Sequence, residues 1–269
     1  MPTQPTISDI VLSQVKEPVE QIQPSHGLIA FFDVLGYKTI VENNEVGEVA
    51  SIIRETLIGK PQHLEQQLDL MRHVSSALVP EHLVFADTIL VHFAIEDSEF
   101  RSLATEFFTS FCREIMARLF TNGLPLRGAI AVGDYFIQDH CFAGKPIMEA
   151  YELSNNLHLA GCALASSARA PFLTNKGSAA MFFEYPAPLK RCSKKELRKD
   201  CAMLNFRPAF NGGDLADTRS FVQKQFGAHK KPIGTDVQEK IDNTLAFFEQ
   251  CRRQNPESRH AAEDDAASA

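Results

Sequence analysis

Long apolar runs are missing from this sequence of 269 residues. No window approaches the ~18 consecutive apolar residues that a membrane-spanning helix requires. The N-terminus also lacks the basic and apolar regions of a signal peptide, so we expect a cytoplasmic protein that does not contact a membrane. The six cysteines show no C-x-x-C spacing, which favours reduced thiols over a disulfide framework or a metal site.

An excess of positive charge is missing as well, because the formal net charge is −7. We therefore expect no nucleic-acid partner, although a single nucleotide would need only a local site. Several catalytic motifs are also absent: the chain has no Walker A loop, no H-E-x-x-H pair and no G-x-S-x-G elbow. An aspartyl-phosphate phosphatase would need a second Asp two positions after Asp33, and that residue is Leu35.

What is present is an ordinary globular composition, 44% hydrophobic and 23% charged, between two polar ends. Residues 1–25 are rich in Pro, Gln and polar residues and predict a flexible N-terminal arm. Residues 255–269 lack apolar periodicity and predict a disordered tail. We interpret residues 26–254 as one domain, with its core at 27–165, and the role of residues 170–254 is left open.

The apolar spacing within this domain predicts alternating strands and helices. Strands are predicted at 28–34, twice within 82–93 and at 124–136, with helices over 46–58, 62–77 and 98–123. This β-α-β-β-α-β order predicts an α+β fold with a ferredoxin-like, palm-type core, in which helices cover one face of an antiparallel sheet. Further elements are predicted as a helix at 146–160, strands at 162–166 and 201–206, and helices at 215–226 and 236–252.

Asp33 ends an almost unbroken apolar strand, with no basic residue beside it in the sequence. An ionised carboxylate in such a place costs several kcal/mol unless it is paired or binds a metal. Asp87 interrupts the second and third strands, and in a ferredoxin-like sheet the first strand usually neighbours the third. Two carboxylates that meet there would repel each other, and a divalent cation would remove the repulsion. Oxygen ligands of this kind suit Mg²⁺ or Mn²⁺, and two such ions can support phosphoryl displacement.

The alternative interpretation is that both carboxylates only cap turns, Asp33 at Val34-Leu35-Gly36 and Asp87 at a hairpin, without any metal. Either residue taken alone is compatible with that role. Their positions on two elements that are expected to be adjacent favour the metal site.

Three segments resemble the class III nucleotide cyclases, and they follow one another in that family's order. "FFDVLGY" (31–37) resembles its first metal motif, and "FADTILVHF" (85–93) resembles its second, with Ala86 where Gly is usual. "LRGAIAVGD" (126–134) resembles its R-x-G-I-x-x-G strand. The resemblance covers about residues 27–165. It implies that Asp33, Asp87 and the backbone of Val34 bind two Mg²⁺ or Mn²⁺ ions, and that the substrate is a nucleoside triphosphate.

The resemblance also implies a head-to-tail homodimer whose active sites lie at the subunit interface. "KPIMEAYELSNNLHLAG" (145–161) lies where the family has base-reading residues and a segment ending V-N-x-x-x-R. It implies base or nucleotide contacts for Lys145 and Glu149 and a catalytic role for Asn156. The family arginine is replaced by Ala160. Stabilisation of the transition state would then need another cation, and the candidates are Arg127, Lys145 and Arg169.

The phrase "EAYELS" (149–154) is similar to the divergent cyclases of bacterial Pycsar antiphage systems, which make cyclic pyrimidine nucleotides. That resemblance implies a uridylate cyclase that produces cUMP, and a separate effector that senses the product. Tyr37 and Tyr151 are then candidates for shortening the base pocket. The alternatives are a cytidylate or adenylate cyclase, or a catalytically silent, cyclase-like dimer that binds nucleotide. A cyclic-dinucleotide synthase lacks support, because no G-G-[DE]-E-F run occurs.

Overall fold

A computed structural model of the chain describes residues 23–58, 80–95, 101–138, 141–190, 197–206 and 215–254. Most of the predicted N-terminal arm, the predicted helix at 62–77, the first three residues of the helix predicted over 98–123 and the predicted tail at 255–269 lie outside the described residues. The described part carries eight strands and eight helices.

The strands are β1 (Ser25–Val34), β2 (Glu81–Phe85), β3 (Thr88–Ala94), β4 (Leu126–Gln138), β5 (Cys141–Gly144), β6 (Gly161–Leu164), β7 (Phe182–Leu189) and β8 (Leu197–Leu204). The helices are α1 (Tyr37–Asn43), α2 (Val46–Ile53), α3 (Arg101–Thr121), α4 (Lys145–Asn156), α5 (Ser166–Thr174), α6 (Lys176–Ala179), α7 (Leu215–Gly227) and α8 (Thr235–Arg253). A single π-helical turn, Arg54–Ile58, continues α2.

All eight strands belong to one sheet in the order β2-β3-β1-β4-β6-β8-β7, with β5 paired to β4. The pairs β2–β3, β3–β1 and β1–β4 are antiparallel, which is the strand order of a ferredoxin-like unit. The predicted fold class, α+β with this core, is therefore confirmed. Beyond the core, β6 runs parallel to β4, and the β7–β8 hairpin extends the sheet.

Side chains alternate between the two faces of β1, and both faces are apolar. Leu28, Ala30 and Phe32 point into the larger core, which also holds residues of α1, α3, α7 and α8. Ile29 and Phe31 belong to a smaller core on the opposite face, where α4 packs. Helices α1 to α3 lie on one face of the sheet, as predicted. Helix α4 instead covers part of the second face, which carries Asp33.

The C-terminal part of the chain completes the larger core with aromatic side chains. Phe120 of α3 lies 5.4 Å from Phe248 of α8 between ring centroids. Phe206 lies 5.2 Å from Phe248 and 6.2 Å from Phe247. Such contacts between aromatic rings stabilise the fold beyond the contribution of burying their apolar surface. Residues beyond the ferredoxin-like unit are therefore part of the same hydrophobic core.

The predicted elements differ from the structure mainly at their ends. The helix predicted over 146–160 ends at Asn156, because Leu157 bridges Leu189 and the N–H of His158 donates to the Pro188 carbonyl at 2.9 Å. The strand predicted at 201–206 is Leu197–Leu204, and the helix at 236–252 is Thr235–Arg253.

β4 contains two glycines, Gly128 and Gly133, and the backbone at Gly128 approaches a neighbouring side chain closely. A Cβ there would lie 2.2 Å from Cδ1 of Phe32 on the neighbouring strand. At Gly133 a Cβ would meet only ordinary contacts with Pro146, the nearest at 3.5 Å.

Cys112, Cys141, Cys162, Cys201 and Cys251 are all free thiols. Among the helices that the structure describes, none is both long and apolar enough to cross a membrane.

Candidate functional site

The C-terminal end of β1 places Asp33 between two neighbouring strands. Asp33 lies opposite Thr88 of β3 on one side and Arg127 of β4 on the other. Directly opposed residues of an antiparallel pair project from the same face, so Asp33 and Arg127 meet. Nε and Nη2 of Arg127 both lie 2.6 Å from Oδ2 of Asp33. The carboxylate that lacks a basic neighbour in the sequence thus has one across the sheet.

Arg127 is anchored by a second residue, Asn155 of α4. Its Nη1 donates to the Asn155 carbonyl at 3.2 Å, and its Nη2 donates to the Asn155 side-chain oxygen at 3.0 Å. The side chains of Arg127 and Asp33 are only 11% and 14% exposed. A buried pair of this kind is sensitive to the removal of either partner, because the remaining charge is left without compensation.

Asp87 lies next to Asp33 because of a tight turn between β2 and β3. The turn consists of Ala86 and Asp87, and Ala86 adopts a left-handed conformation with φ 52°. The N–H of Val34 donates to the Asp87 carbonyl at 2.9 Å, so the turn is tied to the residue that follows Asp33. Glycine adopts this conformation without strain, which is a physical reason for Gly at this position in the similar motif.

The electrostatics of Asp33 reflect these neighbours. Burial raises the pKa of Asp33, the charge of Arg127 opposes that rise, and the nearby carboxylate of Asp87 raises the pKa further. The single cation therefore does not fully offset burial and the second negative charge. An additional positive charge between Asp33 and Asp87 would stabilise both carboxylates in their ionised form.

Tyr37, the first residue of α1, belongs to the same site. Its pKa is raised by burial and, to a smaller extent, by the negative charge of Asp87. Gly36 precedes it with φ 80°, which lets the chain turn sharply from β1 into the helix. The turn after β1 thus brings the predicted site residue Tyr37 close to Asp33, and the turn between β2 and β3 adds Asp87.

Lys190 is a cation of the site that the sequence did not reveal. It follows β7, and its N–H donates to the Asn156 carbonyl at 2.7 Å. Burial lowers the pKa of Lys190, the charge of Arg127 lowers it further, and Asp33 opposes the change. Lys190 lies 157 positions after Asp33 in the chain, so no local pattern pointed to it.

The predicted site residues on α4 occupy different environments. Glu149 accepts hydrogen bonds from the N–H of Ser167 at 3.2 Å and from its hydroxyl at 2.5 Å. Tyr151 is half exposed and packs its ring edge-on against Phe31, 5.2 Å between centroids. Asn156 is exposed, and its side-chain amide donates to the Glu152 carbonyl at 2.9 Å.

Lys145 is also exposed, at the first position of α4. The amide that reaches Arg127 is Asn155 rather than Asn156. The structure thus groups Asp33, Val34, Asp87, Tyr37 and Arg127, and leaves Lys145, Glu149, Tyr151 and Asn156 along α4.

Ala160, at the position of the missing arginine, is fully buried. Its N–H donates to Oγ1 of Thr244 in α8 at 2.9 Å. Because α4 ends at Asn156, residue 160 lies in the connection just before β6 instead of projecting from a helix. The C-terminal helix α8 therefore takes up the space that a long side chain would need.

The described residues contain no group of three or more His, Cys, Asp or Glu side chains that could hold a metal ion. Asp33 and Asp87 offer a pair of carboxylates, so a bound metal would need backbone, water or phosphate oxygens to complete its shell. Mg²⁺ and Mn²⁺ accept such mixed oxygen ligation.

No family model and no curated protein matches this sequence. Similar solved structures include a class III adenylyl cyclase-like ATP-binding protein from Pseudomonas aeruginosa, 14% identical with a TM-score of 0.41 over 61% of this chain. The alignment spans 41% of that longer protein.

Two further solved structures are similar over most of their own length. The catalytic core of a rhodopsin-guanylyl cyclase with converted specificity, solved with ATPαS, is 13% identical with a TM-score of 0.44 over 69% of this chain and 98% of that one. A bacterial light-regulated adenylyl cyclase is 14% identical with a TM-score of 0.43 over 76% and 99%. The ferredoxin-like core itself is established by the strand order and register of this chain.

Proposed function

We propose that the chain is a nucleotide cyclase of the class III type, and that it converts a pyrimidine nucleoside triphosphate, UTP by preference, to its 3′,5′-cyclic monophosphate and pyrophosphate. The observation that carries the proposal is the meeting of Asp33 and Asp87, which come from two separate motifs, at one end of the sheet. Arg127 and Lys190 lie beside them. Two carboxylates with two nearby cations suit a polyphosphate and its metal ions.

The proposed cofactors are two Mg²⁺ or Mn²⁺ ions, held by Asp33, Asp87 and the backbone oxygen of Val34. The donor set fits, because it consists of oxygen atoms, and because burial and the nearby carboxylate of Asp87 raise the pKa of Asp33 by more than Arg127 lowers it. When bound, such ions lower the pKa of the ribose 3′-hydroxyl and offset the charge of the triphosphate.

The protein side chains have separate tasks in this proposal. Arg127 holds Oδ2 of Asp33 through two nitrogen atoms and so fixes the orientation of the carboxylate. Lys190 is exposed at the same site and is the group that we assign to the triphosphate and to the departing pyrophosphate. In the reaction the 3′-oxygen forms a bond to the α-phosphorus, the bond from that phosphorus to pyrophosphate breaks, and the hydroxyl proton leaves to solvent.

The preference for a pyrimidine rests on the resemblance of "EAYELS" (149–154) to Pycsar cyclases and on the aromatic side chains near the site. Tyr37 lies beside Asp87, and Tyr151 is half exposed against Phe31 on the face of the sheet that carries Asp33. Together with Lys145 and Glu149, they are the proposed nucleotide-binding residues. Asn156 and Arg127 are the proposed catalytic residues, although the contacts of Arg127 with Asp33 and Asn155 favour a positioning role for it.

We also propose a homodimer that uses the face of the sheet bearing Asp33. Phe85 of β2, Phe142 of β5, and Met148 and Tyr151 of α4 are exposed on this side of the molecule. Large apolar side chains left exposed along one face of a sheet are typical of an interaction surface. In a head-to-tail dimer the partner would bring its own α4 toward the carboxylates. The proposed biological role, a second messenger for a separate effector in antiphage defence, follows from the resemblance to Pycsar cyclases alone.

The second candidate function is a nucleotide-binding dimer without catalysis. Two observations favour it. Position 160 carries a buried alanine where the similar motif has an arginine, and Arg127, which could replace that arginine, is already paired with Asp33. A silent protein of this kind would still bind a nucleoside triphosphate with a divalent cation. Turnover is therefore the property that separates the two candidates.

The test is to incubate the purified protein separately with ATP, GTP, CTP and UTP in the presence of Mn²⁺ and to identify the products by mass spectrometry. We expect 3′,5′-cyclic UMP and pyrophosphate. Linear or absent products with all four substrates would exclude the cyclase, and another cyclic nucleotide would change only the assigned base.

The matched variants are Asp87→Asn and Asp134→Asn. Asp87→Asn removes one proposed metal ligand without breaking the buried pair of Asp33 and Arg127, so we expect turnover to fall by about a hundredfold or more while the fold persists. Asp134 pairs with His26 at 2.7 Å and is exposed, so its variant should keep wild-type turnover. Near-native activity of Asp87→Asn would disprove the metal assignment.

A further inference from the structure

The segment between α7 and α8 adopts an unusual conformation close to the functional site. His229 and Lys230 both have left-handed backbones, with φ 57° and 60°. Side-chain amides hold the carbonyls of this segment: Asn44 donates to His229 at 2.9 Å, and Asn43 donates to Lys230 at 2.8 Å. Consecutive left-handed residues other than glycine persist only where surrounding contacts determine them.

This conformation directs the next residue, Lys231, into the protein. Lys231 is only 7% exposed, and its Nζ donates to the Gly123 carbonyl at 2.7 Å. Its aliphatic stem lies against Gly36, where a Cβ would be 3.0 Å from Cδ of Lys231. The side chain therefore occupies the space between Gly36 and Gly123.

These two glycines belong to the turns that flank the site. Gly36 is in the turn that follows Asp33, and Gly123 is in the turn between α3 and β4, the strand that carries Arg127. The N–H of Leu35 donates to the Pro125 carbonyl at 2.9 Å and also joins these turns. The two turns are thus joined twice, once by this backbone hydrogen bond and once by the side chain of Lys231.

A packing role alone would not need an amine here. Burial lowers the pKa of Lys231 to about 8, which reflects the unfavourable desolvation of its charge. A methionine would fill a similar volume without that penalty. The favourable partner is a carbonyl next to the C-terminus of α3, where the helix dipole attracts a cation. The amine therefore contributes a directed hydrogen bond that an apolar side chain lacks.

We propose that Lys231 is a positioning residue of the catalytic site: by joining the turn after Asp33 to the turn before Arg127, it holds the metal-binding carboxylate in the geometry that the divalent cation requires. This inference rests on the proposed cyclase function. It extends that function by assigning a task in the site to the C-terminal part of the chain.

The test compares Lys231→Met with Lys230→Met, the same change at the neighbouring exposed lysine, which pairs with Glu48. Initial rates are measured over a range of Mn²⁺ and UTP concentrations, and Mn²⁺ binding is measured directly by calorimetry with 3′-deoxy-UTP, which cannot cyclise. For Lys231→Met we expect about a tenfold weaker apparent Mn²⁺ affinity in both measurements, with activity partly restored by excess Mn²⁺. Lys230→Met should match the wild type.

The outcomes separate this inference from the proposed function. If Lys231→Met only lowers kcat and the melting temperature, with unchanged Mn²⁺ affinity, Lys231 is merely structural and the inference is wrong while the cyclase stands. If the wild type turns over no nucleotide, the cyclase is wrong, and the calorimetric Mn²⁺ affinities of the two variants decide the inference alone. A wild type that binds no Mn²⁺ would overturn both.

Discussion

At the scale of single residues, the site depends on how three charges share one end of a sheet. Asp33 has an arginine on one side and a second carboxylate on the other, and burial disfavours its ionised form. The sequence pointed to both aspartates because each interrupts or ends an apolar strand. It did not reveal that Arg127 pairs with Asp33, since the two are 94 positions apart and meet only through strand register.

Ala86 provides a residue-scale prediction about stability. Its left-handed backbone costs roughly 1–2 kcal/mol relative to an unstrained residue, and glycine adopts the same conformation freely. Ala86→Gly is therefore expected to stabilise the fold by about 1 kcal/mol, which corresponds to a rise of about 2–4 °C in Tm for a domain of this size. Thermal unfolding followed by circular dichroism measures the change.

The matched control is Ala143→Gly in β5, where the alanine is exposed and its φ is not left-handed. That change should lower Tm, because glycine weakens an ordinary strand position. If both variants lower Tm alike, the turn does not favour glycine at residue 86.

At the scale of elements, the long periodic segments were predictable and the irregular ones were not. β1, the β2–β3 hairpin, α3 and β4 follow simple apolar periods, and their predicted and observed positions agree closely. β7 was missed because Pro186 and Pro188 interrupt its pattern. The structure tolerates them because β7 is at the edge of the sheet, where a missing N–H is harmless. α1 has only seven residues, too few for a periodic signal.

The early end of α4 leads to a prediction at residue 160. Ala160→Arg, which introduces the arginine found in the similar cyclase motif, should not raise turnover, because Ala160 is 0% exposed and lies against Thr244 of α8. A buried charge without a partner is expected to lower the free energy of unfolding by about 3–5 kcal/mol. Chemical denaturation measures this loss.

Glu152→Arg is the matched control, because Glu152 is exposed on α4. Its free energy of unfolding should stay within about 0.5 kcal/mol of the wild type. A stable and more active Ala160→Arg protein would show that α8 leaves room for the side chain and that the absent arginine limits the wild type.

At the scale of the whole molecule, the two faces of the sheet have different surroundings. α1 to α3, α7 and α8 enclose the larger core, whereas the second face is covered by α4 over β1 and β4. Phe85 is left 80% exposed on the side that also bears Asp33. This asymmetry supports the proposed dimer, which would bury the second face.

Phe85→Glu tests that dimer. Because the side chain is exposed, the change should leave the monomer folded and weaken association by about 2 kcal/mol, roughly a 30-fold rise in the dissociation constant. Activity per mole should fall in parallel, since the proposed site is shared between subunits. Analytical ultracentrifugation and turnover measured over a dilution series report the two effects.

The control is Val46→Glu, because Val46 is 84% exposed at the start of α2, on the side of the larger core. It should leave both the dissociation constant and turnover unchanged. An active Phe85→Glu monomer would exclude a site shared across this face.

The sequence by itself determined the order of the core strands and the positions of α2 and α3, and it identified the two aspartates at strand ends. Apolar periodicity and an interrupted strand are local signals, so they can be read without the fold. Only the tertiary structure decided which cations stand beside Asp33, why residue 160 has no room for an arginine, and where Lys231 lies. Each of these depends on strand register or on packing between residues far apart in the chain, and no local pattern encodes such contacts.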